Sequence, residues 1–104
     1  MILYNVTVSI DPEIAADWLE WMRNKHIPDV MATGCFRDSR LSRIQGEEQG
    51  GITYSVMYLS PSQELMDKYQ REFAPALQKD HLQRYEGRFA AFRTMLEVIE
   101  EFTA

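Results

Sequence analysis

The first residues of the chain alternate with a period of two, and this pattern constrains the fold more than any other feature of the sequence. In the segment ILYNVTVSI, residues 2–10, one face is apolar throughout and the other is mostly polar. Such alternation is typical of a β-strand that lays one face on a core. Asp11-Pro12-Glu13 follows at once and offers a helix N-cap, a proline suited to the first helical turn and an acidic residue. The chain therefore opens with a strand and a helix.

The end of this first helix coincides with a distinctive segment, KHIPDVMATGCF. We predict a helix from Pro12 to Lys25 that breaks near His26, because Pro28 disfavours helical geometry in the residue before it. A short helical turn should follow and end at Gly34. On this interpretation His26 caps the C-terminus of the helix, where an imidazole can satisfy free carbonyl groups, and it can also form the rim of a pocket.

Two further strands are predicted next. They cover Phe36 to Gln45 and Ile52 to Leu59, and the intervening GEEQGG is rich in turn-forming residues. A connection of this length predicts a hairpin, with the two strands paired antiparallel.

The second helix and a last strand complete the chain. Ser60-Pro61-Ser62-Gln63 has the form of a capping box, and an apolar stripe at helical spacing follows it. Pro75 should split this helix near Phe73, and Gly87 should end it. The alternating segment from Arg88 to Ile99 predicts a fourth strand.

The resulting order of elements, βαββαβ, is the α+β ferredoxin-like pattern, in which both helices cover one face of an antiparallel sheet. At 104 residues the chain is expected to form a single domain, residues 1–104. The third strand has Met57 and Leu59 opposite its Tyr and Val face, and the fourth strand has apolar residues on both sides, with Phe92 and Leu96 on one of them. Both faces of the sheet are therefore apolar, and two helices can cover only one. Because a monomer rarely exposes so large an apolar surface, we predict a homodimer in which two sheets pack face to face.

Composition excludes several kinds of partner. The chain has 11 Lys plus Arg against 16 Asp plus Glu, a formal net charge of -5, which disfavours nucleic acid as a partner. It has no apolar segment long enough for a membrane span and no export signal at its start, so we expect a soluble cytoplasmic protein. One cysteine excludes an internal disulfide. No dinucleotide, P-loop or HExxH motif is present, and two histidines are too few for a three-histidine zinc site, so neither a cofactor nor a metal is predicted.

Several side chains are candidates for ligand binding. The polar face of the first strand is unusual because ferredoxin-like order makes this strand central, so Asn5 must meet either the partner protomer or a wet cavity. Polar tips could also come from the residues Tyr54, Tyr58, Tyr69 and Arg93, and from the histidines His26 and His81. Trp18, Trp21 and Cys35 are better explained as packing residues.

Five segments of the chain together resemble a known family. YNVTVSID, HIPDVMATG, GGITYSVMY, FAPALQKDH and FAAFRTML are similar to the small bacterial family catalogued as domain of unknown function 4286, over nearly the whole chain. The resemblance brings no catalytic residues with it. It implies the dimeric α/β-barrel group, which includes antibiotic-biosynthesis and haem-degrading monooxygenases, lactone isomerases and proteins without known chemistry.

Three hypotheses about function follow. The favoured one is a homodimeric domain that binds a small molecule in a pocket between helices and sheet. The second is a cofactor-independent or haem-degrading-type monooxygenase that uses Asn5, Tyr69 and His81, although the haem-degrading pattern would have tryptophan where Tyr69 stands. The third is a protein interaction module with a filled interior, which meets its partner through the acidic residues Glu97, Glu100 and Glu101.

Overall fold

The computed structural model describes residues 1–46 and 50–104. In chain order the elements are β1 (Ile2–Ile10), a 3₁₀ turn (Pro12–Ile14), α1 (Ala15–Trp21), a π-helical turn (Met22–His26), α2 (Ile27–Met31), β2 (Asp38–Arg43), β3 (Ile52–Ser60), α3 (Gln63–Glu72), α4 (Ala74–Tyr85) and β4 (Phe89–Glu97). The strands form one antiparallel sheet in the order β2-β3-β1-β4. The predicted α+β ferredoxin-like fold, with β1 in a central position, is confirmed.

The register of the sheet separates its two faces. Tyr4 of β1 is paired with Tyr58 of β3 and Met95 of β4, whereas the next residue, Asn5, is paired with Met57 and Thr94. Because paired residues share a face, alternate positions along β1 belong to opposite surfaces. We call the face that carries Tyr4 and is covered by the helices the inner face, and the face that carries Asn5 the outer face.

The first helical segment does not break at His26, so that prediction was wrong. The Ile27 N–H donates to the Met22 carbonyl, five residues back, which makes a wider π-helical turn and carries the helix on into α2. Pro28 is the second residue of α2 and follows directly on the π-helical turn, whose wider hydrogen bonding accommodates a residue without an N–H. His26 makes no side-chain capping bond and lies inside a continuous helical segment. The predicted stop after α2 matches Gly34, whose φ is +76°.

The second strand is shorter than predicted at both ends. It begins at Asp38 because Phe36 is buried and packs on Tyr58 and Tyr69, with ring centroids 5.1 and 4.7 Å away. The turn predicted for GEEQGG falls largely on residues 47–49, which lie outside the described residues. The strands on either side of it pair antiparallel, as expected.

The second helix splits where Pro75 predicts, with α3 ending at Glu72 and α4 beginning at Ala74. Its N-cap is Ser62, whose side chain accepts a hydrogen bond from the Leu65 N–H at 3.1 Å. Ser60 is buried and donates instead to the Cys35 carbonyl at 2.9 Å, so the capping box predicted to start at Ser60 does not form.

The last strand ends at Glu97, two residues before the predicted end. None of the helices within residues 1–46 and 50–104 is both long enough and apolar enough to cross a bilayer.

Candidate functional site

A cavity of about 40 Å³ lies between the inner face of the sheet and the helices. Its apolar walls come from three strands of the sheet and from the π-helical turn: Val6, Val8, Val56, Ala91 and Met22. The polar part of its lining is supplied by three tyrosines, two histidines, Gln78 and Arg93.

Three tyrosines form one end of the cavity. Tyr4 on β1 and Tyr58 on β3 are cross-strand partners, and Tyr69 on α3 packs against them. The ring centroid of Tyr4 lies 6.0 Å from that of Tyr58 and 6.0 Å from that of Tyr69. The three side chains are 2–3% exposed. Despite this burial, none of the three hydroxyls has a hydrogen-bond partner within the part of the chain that the structure describes. Burial raises the pKa of Tyr58 and of Tyr69, so these two phenols keep their protons and can donate them in hydrogen bonds.

Two histidines come together in the lining of the same cavity. His26 comes from the π-helical turn and His81 from α4, and their ring centroids are 5.7 Å apart. Trp21 packs against both rings, at 5.0 Å from His26 and 5.8 Å from His81. Two residues separated by more than fifty positions thus line one cavity.

The tautomer of His81 is fixed by Trp18. The indole Nε1–H of Trp18 donates to His81 Nε2 at 2.9 Å, and this indole can only donate. His81 Nε2 must therefore be unprotonated, which leaves the proton of the neutral ring on Nδ1. Protonation of Nε2 would set two N–H groups against each other, so this contact opposes the charged form.

Both imidazoles are neutral at pH 7. Burial lowers the pKa of His26 from 6.5 to about 4, although Asp29 and Asp80 partly oppose the shift. Burial also lowers the pKa of His81 to about 4, with further contributions from His26 and Arg93. Such groups are weak bases but good hydrogen-bond partners for a ligand.

Arg93 is the one lining residue among those described that carries a formal charge at pH 7. It lies on β4 directly opposite Val6, which places it on the inner face at the edge of the sheet. The side chain is largely exposed, and it forms no ion pair with a carboxylate of residues 1–46 or 50–104. The lining therefore has a positive charge that is not paired with any carboxylate of the described residues.

Asn5 lies on the outer face, away from the cavity. Its Nδ2 donates to Thr7 Oγ1 at 3.0 Å, and Ser55 Oγ donates to its Oδ1 at 2.5 Å. The proposed trio is therefore separated by the sheet. Asn5 lies on the outer face of β1, whereas Tyr69 and His81 come from the helices that cover the inner face. Within one protomer these three residues cannot hold one ligand.

The other candidates divide in a similar way. Tyr58, Tyr69, His26, His81 and Arg93 line the same cavity. Tyr54 is on the inner face, but its ring packs on Trp18 at 4.9 Å and it does not line the cavity. Trp18 is fully buried and Cys35 is 1% exposed, as expected of packing residues.

Two polar lining residues, Tyr4 and Gln78, were not among the sequence candidates. Tyr4 was assigned to the apolar face of its strand, and the signal that could have identified it is that Tyr4 and Tyr58 carry hydroxyls on otherwise apolar faces. Gln78 lies one helical turn before His81, so the i, i+3 spacing of two polar residues on α4 could have identified it.

The residues present do not fit a haem group. Pockets for drug-sized ligands usually enclose roughly 300–1,000 Å³, whereas this cavity measures about 40 Å³. The Nε2 atom of His81 already accepts the Trp18 hydrogen bond, so it is not free to bind iron. In the described part of the chain, no three His, Cys, Asp or Glu residues are grouped so that they could hold a metal ion.

Solved structures of several proteins share the fold. A dimeric ferredoxin-like protein from an uncultured marine organism matches with a TM-score of 0.73 and 14% identity, covering 100% of both chains. SnoaB from Streptomyces nogalater, a cofactor-independent oxygenase, matches with a TM-score of 0.68 and 8% identity, covering 99% of this chain and 98% of its own. A variant of MhuD with two manganese protoporphyrin IX groups bound per active site matches with a TM-score of 0.64 and 19% identity, covering 98% and 99%. At these identities the likeness concerns the fold alone.

Sequence comparison gives the family. No curated protein sequence matches the chain. The family model described as domain of unknown function DUF4286 matches residues 1–99. The resemblance predicted from the five sequence segments is confirmed, and the chain belongs to the DUF4286 family.

Proposed function

We propose that this protein is a homodimeric domain that binds a small molecule in the cavity between the helices and the inner face. One observation carries the proposal: three phenol hydroxyls with no hydrogen-bond partner among the described residues line the same cavity as two neutral imidazoles. These hydroxyls open into the cavity, so they can pair with water or with a ligand there. A protein that keeps several such groups in one place gains from a ligand that pairs with them.

Dimerisation is supported by the outer face of the sheet. Phe92 and Leu96 of β4 are 63% and 43% exposed there. Leu3 and Met57 add apolar surface on the neighbouring central strands, at the same face. A second copy that lays the same face on this one would cover all four side chains through a two-fold interface. Location in the cytoplasm, without nucleic acid or membrane as a partner, stays a prediction.

A cofactor-independent oxygenase is the second candidate, and the position of His26 favours it. This imidazole lines the cavity and could take a proton from a bound substrate. Its pKa of about 4 makes it a weak base at neutral pH, which is why we rank binding first. The interaction module ranks third because it required a filled interior, and a cavity is present.

The test is a thermal-shift screen of the purified protein, together with its mass in solution. The compounds should span small acids, amides, alcohols, lactones and quinones, with haem and flavins as large controls. We expect a dimer that one class of small compound stabilises and that the large controls leave unchanged.

A matched pair of variants locates the effect. Tyr58→Phe removes one cavity hydroxyl and should reduce the shift. Tyr54→Phe removes a hydroxyl from a buried residue that does not line the cavity, and it should preserve the shift. A monomer, or a dimer that no compound stabilises, would contradict the proposal, and oxygen uptake with a stabilising compound would favour the oxygenase.

A further inference from the structure

We propose that the ligand of this cavity is a short-chain carboxylic acid, bound as its anion through Arg93 and the cavity phenols. This inference rests on the proposed function, since it names the chemical class of ligand for the same site. It follows from three properties of the cavity, which are its charge, its hydrogen-bond donors and its size.

The charge of the lining selects an anion. Arg93 is cationic, whereas the two imidazoles are neutral and no carboxylate is among the described residues that line the cavity. Asp29 and Asp80 act on His26 from a distance, but neither lines the cavity. An anion would gain the attraction of the guanidinium, a neutral ligand would not, and a cation would be repelled by it.

The donors of the lining select a group with several acceptor sites. Tyr4, Tyr58 and Tyr69 each bring an O–H that has no partner among the described residues. His81 has its proton on Nδ1 because Nε2 accepts the Trp18 hydrogen bond. An ionised carboxylate has two oxygens with about four acceptor positions. One carboxylate can therefore pair with the guanidinium and with more than one phenol, whereas an alcohol or amide oxygen offers fewer positions.

The size and walls of the cavity set the length of the acid. Its volume of about 40 Å³ is well below the ~150 Å³ of an engineered cavity that admits benzene. Val6, Val8, Val56 and Ala91 give it apolar walls. A carboxylate on a short aliphatic chain fits this combination, and an aromatic acid would need the helices to move apart.

The experiment compares acids with amides of the same shape. Acetate, propionate, butyrate and hexanoate are titrated into the protein by nuclear magnetic resonance, each against its primary amide. We expect saturable binding of the short acids, with amides weaker by about tenfold or more, as the loss of a charge-assisted hydrogen bond implies. Hexanoate should bind no better than butyrate.

Two variants with the same change of charge complete the test. Arg93→Gln should bring acids and amides to equal affinity. Arg71→Gln is the control, because Arg71 lies on α3 with its side chain 69% exposed and does not line the cavity, and it should leave the preference for acids intact.

Failure of this inference can be told apart from failure of the proposed function. If amides bind as tightly as acids, or if only neutral compounds of the thermal-shift screen bind, the carboxylate assignment is wrong while the pocket stands. If Arg71→Gln weakens acids as much as Arg93→Gln does, the effect is one of net charge and the assignment is also wrong. If neither this series nor any compound of the screen binds, both proposals fall.

Discussion

The two faces of the sheet differ in how the hydrogen bonds of their polar side chains are satisfied. On the outer face Asn5, Thr7 and Ser55 bond to one another, and the surface around them is apolar and exposed. On the inner face the central strands β1 and β3 are mostly buried, yet Tyr4 and Tyr58 have hydroxyls with no partner among the described residues. The face that looks polar in the sequence is satisfied within the chain, and the face that looks apolar contains the unpaired groups. This contrast suggests a second copy on the outer face and a ligand under the inner one.

The largest expected change in the free energy of unfolding comes from removing Trp18, the side chain that packs the helices onto the inner face. Trp18 is fully buried and bonds to His81 across α1 and α4. Trp18→Ala should lower the free energy of unfolding by about 3–5 kcal/mol. Arg23→Ala, an exposed position on the same helical segment, is the control and should change it by less than about 0.5 kcal/mol. Urea denaturation measures both, and equal losses would contradict the packing described for α1.

The next largest effect is expected on dimerisation, from a substitution on the outer face. Leu96→Asp puts a charge into the proposed dimer contact, and we expect the dimer dissociation constant to rise by about thirtyfold or more, or about 2 kcal/mol. Met95→Asp is the matched control, since Met95 is the neighbour of Leu96 on the opposite face and is 56% exposed. Analytical ultracentrifugation compares the two. If Met95→Asp dissociates the dimer and Leu96→Asp does not, the interface lies elsewhere.

A pH dependence of stability should follow from the two imidazoles. The folded pKa of His26 and His81 is about 4 against an ordinary value of 6.5, so the unfolded chain binds protons first as the pH falls. Stability is therefore complete above about pH 6.5 and decreases toward pH 4. Between pH 6.5 and 5, where most carboxylates stay ionised, we expect a loss of about 1–3 kcal/mol.

The control for this pH effect is His26→Gln, which removes one of the titrating groups. Its free energy of unfolding should change less over the same interval, as followed by urea denaturation at each pH. A wild-type stability that is flat between pH 6.5 and 5 would show that the imidazoles are not buried as described.

The smallest change in stability is expected from substitution of Asn5. Asn5→Ala breaks two hydrogen bonds on the outer face and should cost about 0.5–1.5 kcal/mol of stability. Binding in the cavity should be unchanged because the side chain points to the other side of the sheet. Loss of ligand binding at unchanged dimer mass would restore Asn5 as a site residue.

Local sequence signals predicted most of the fold. The alternation of β1 sets both of its faces, and Pro75 splits the second helix at the expected place. The error at His26 has a physical cause, since a π-helical turn accommodates Pro28 where a break was expected. Whether a helix breaks or widens depends on what packs behind it, and here Trp21 stacks on His26.

The site was less predictable because it depends on contacts between distant segments. His26 and His81 were both candidates, but only the packing of α4 against the first helical segment brings their rings together. Periodicity assigned Tyr4 and Tyr58 to an inward face without showing that their hydroxyls lack partners. Asn5 was chosen for its polarity on a central strand, and its bond with Ser55 depends on strand register.

The most direct test of the central claim asks which face of the sheet responds to a ligand. Methyl groups of valine and leucine report on both faces: Val6, Val8 and Val56 line the cavity, and Leu3, Leu59 and Leu96 lie on the outer face. Titration with butyrate, followed by methyl nuclear magnetic resonance, should shift the valine signals and leave the leucine signals in place. Shifts confined to the leucines would contradict the account, whereas no shift in either set would contradict the assignment of a carboxylate ligand.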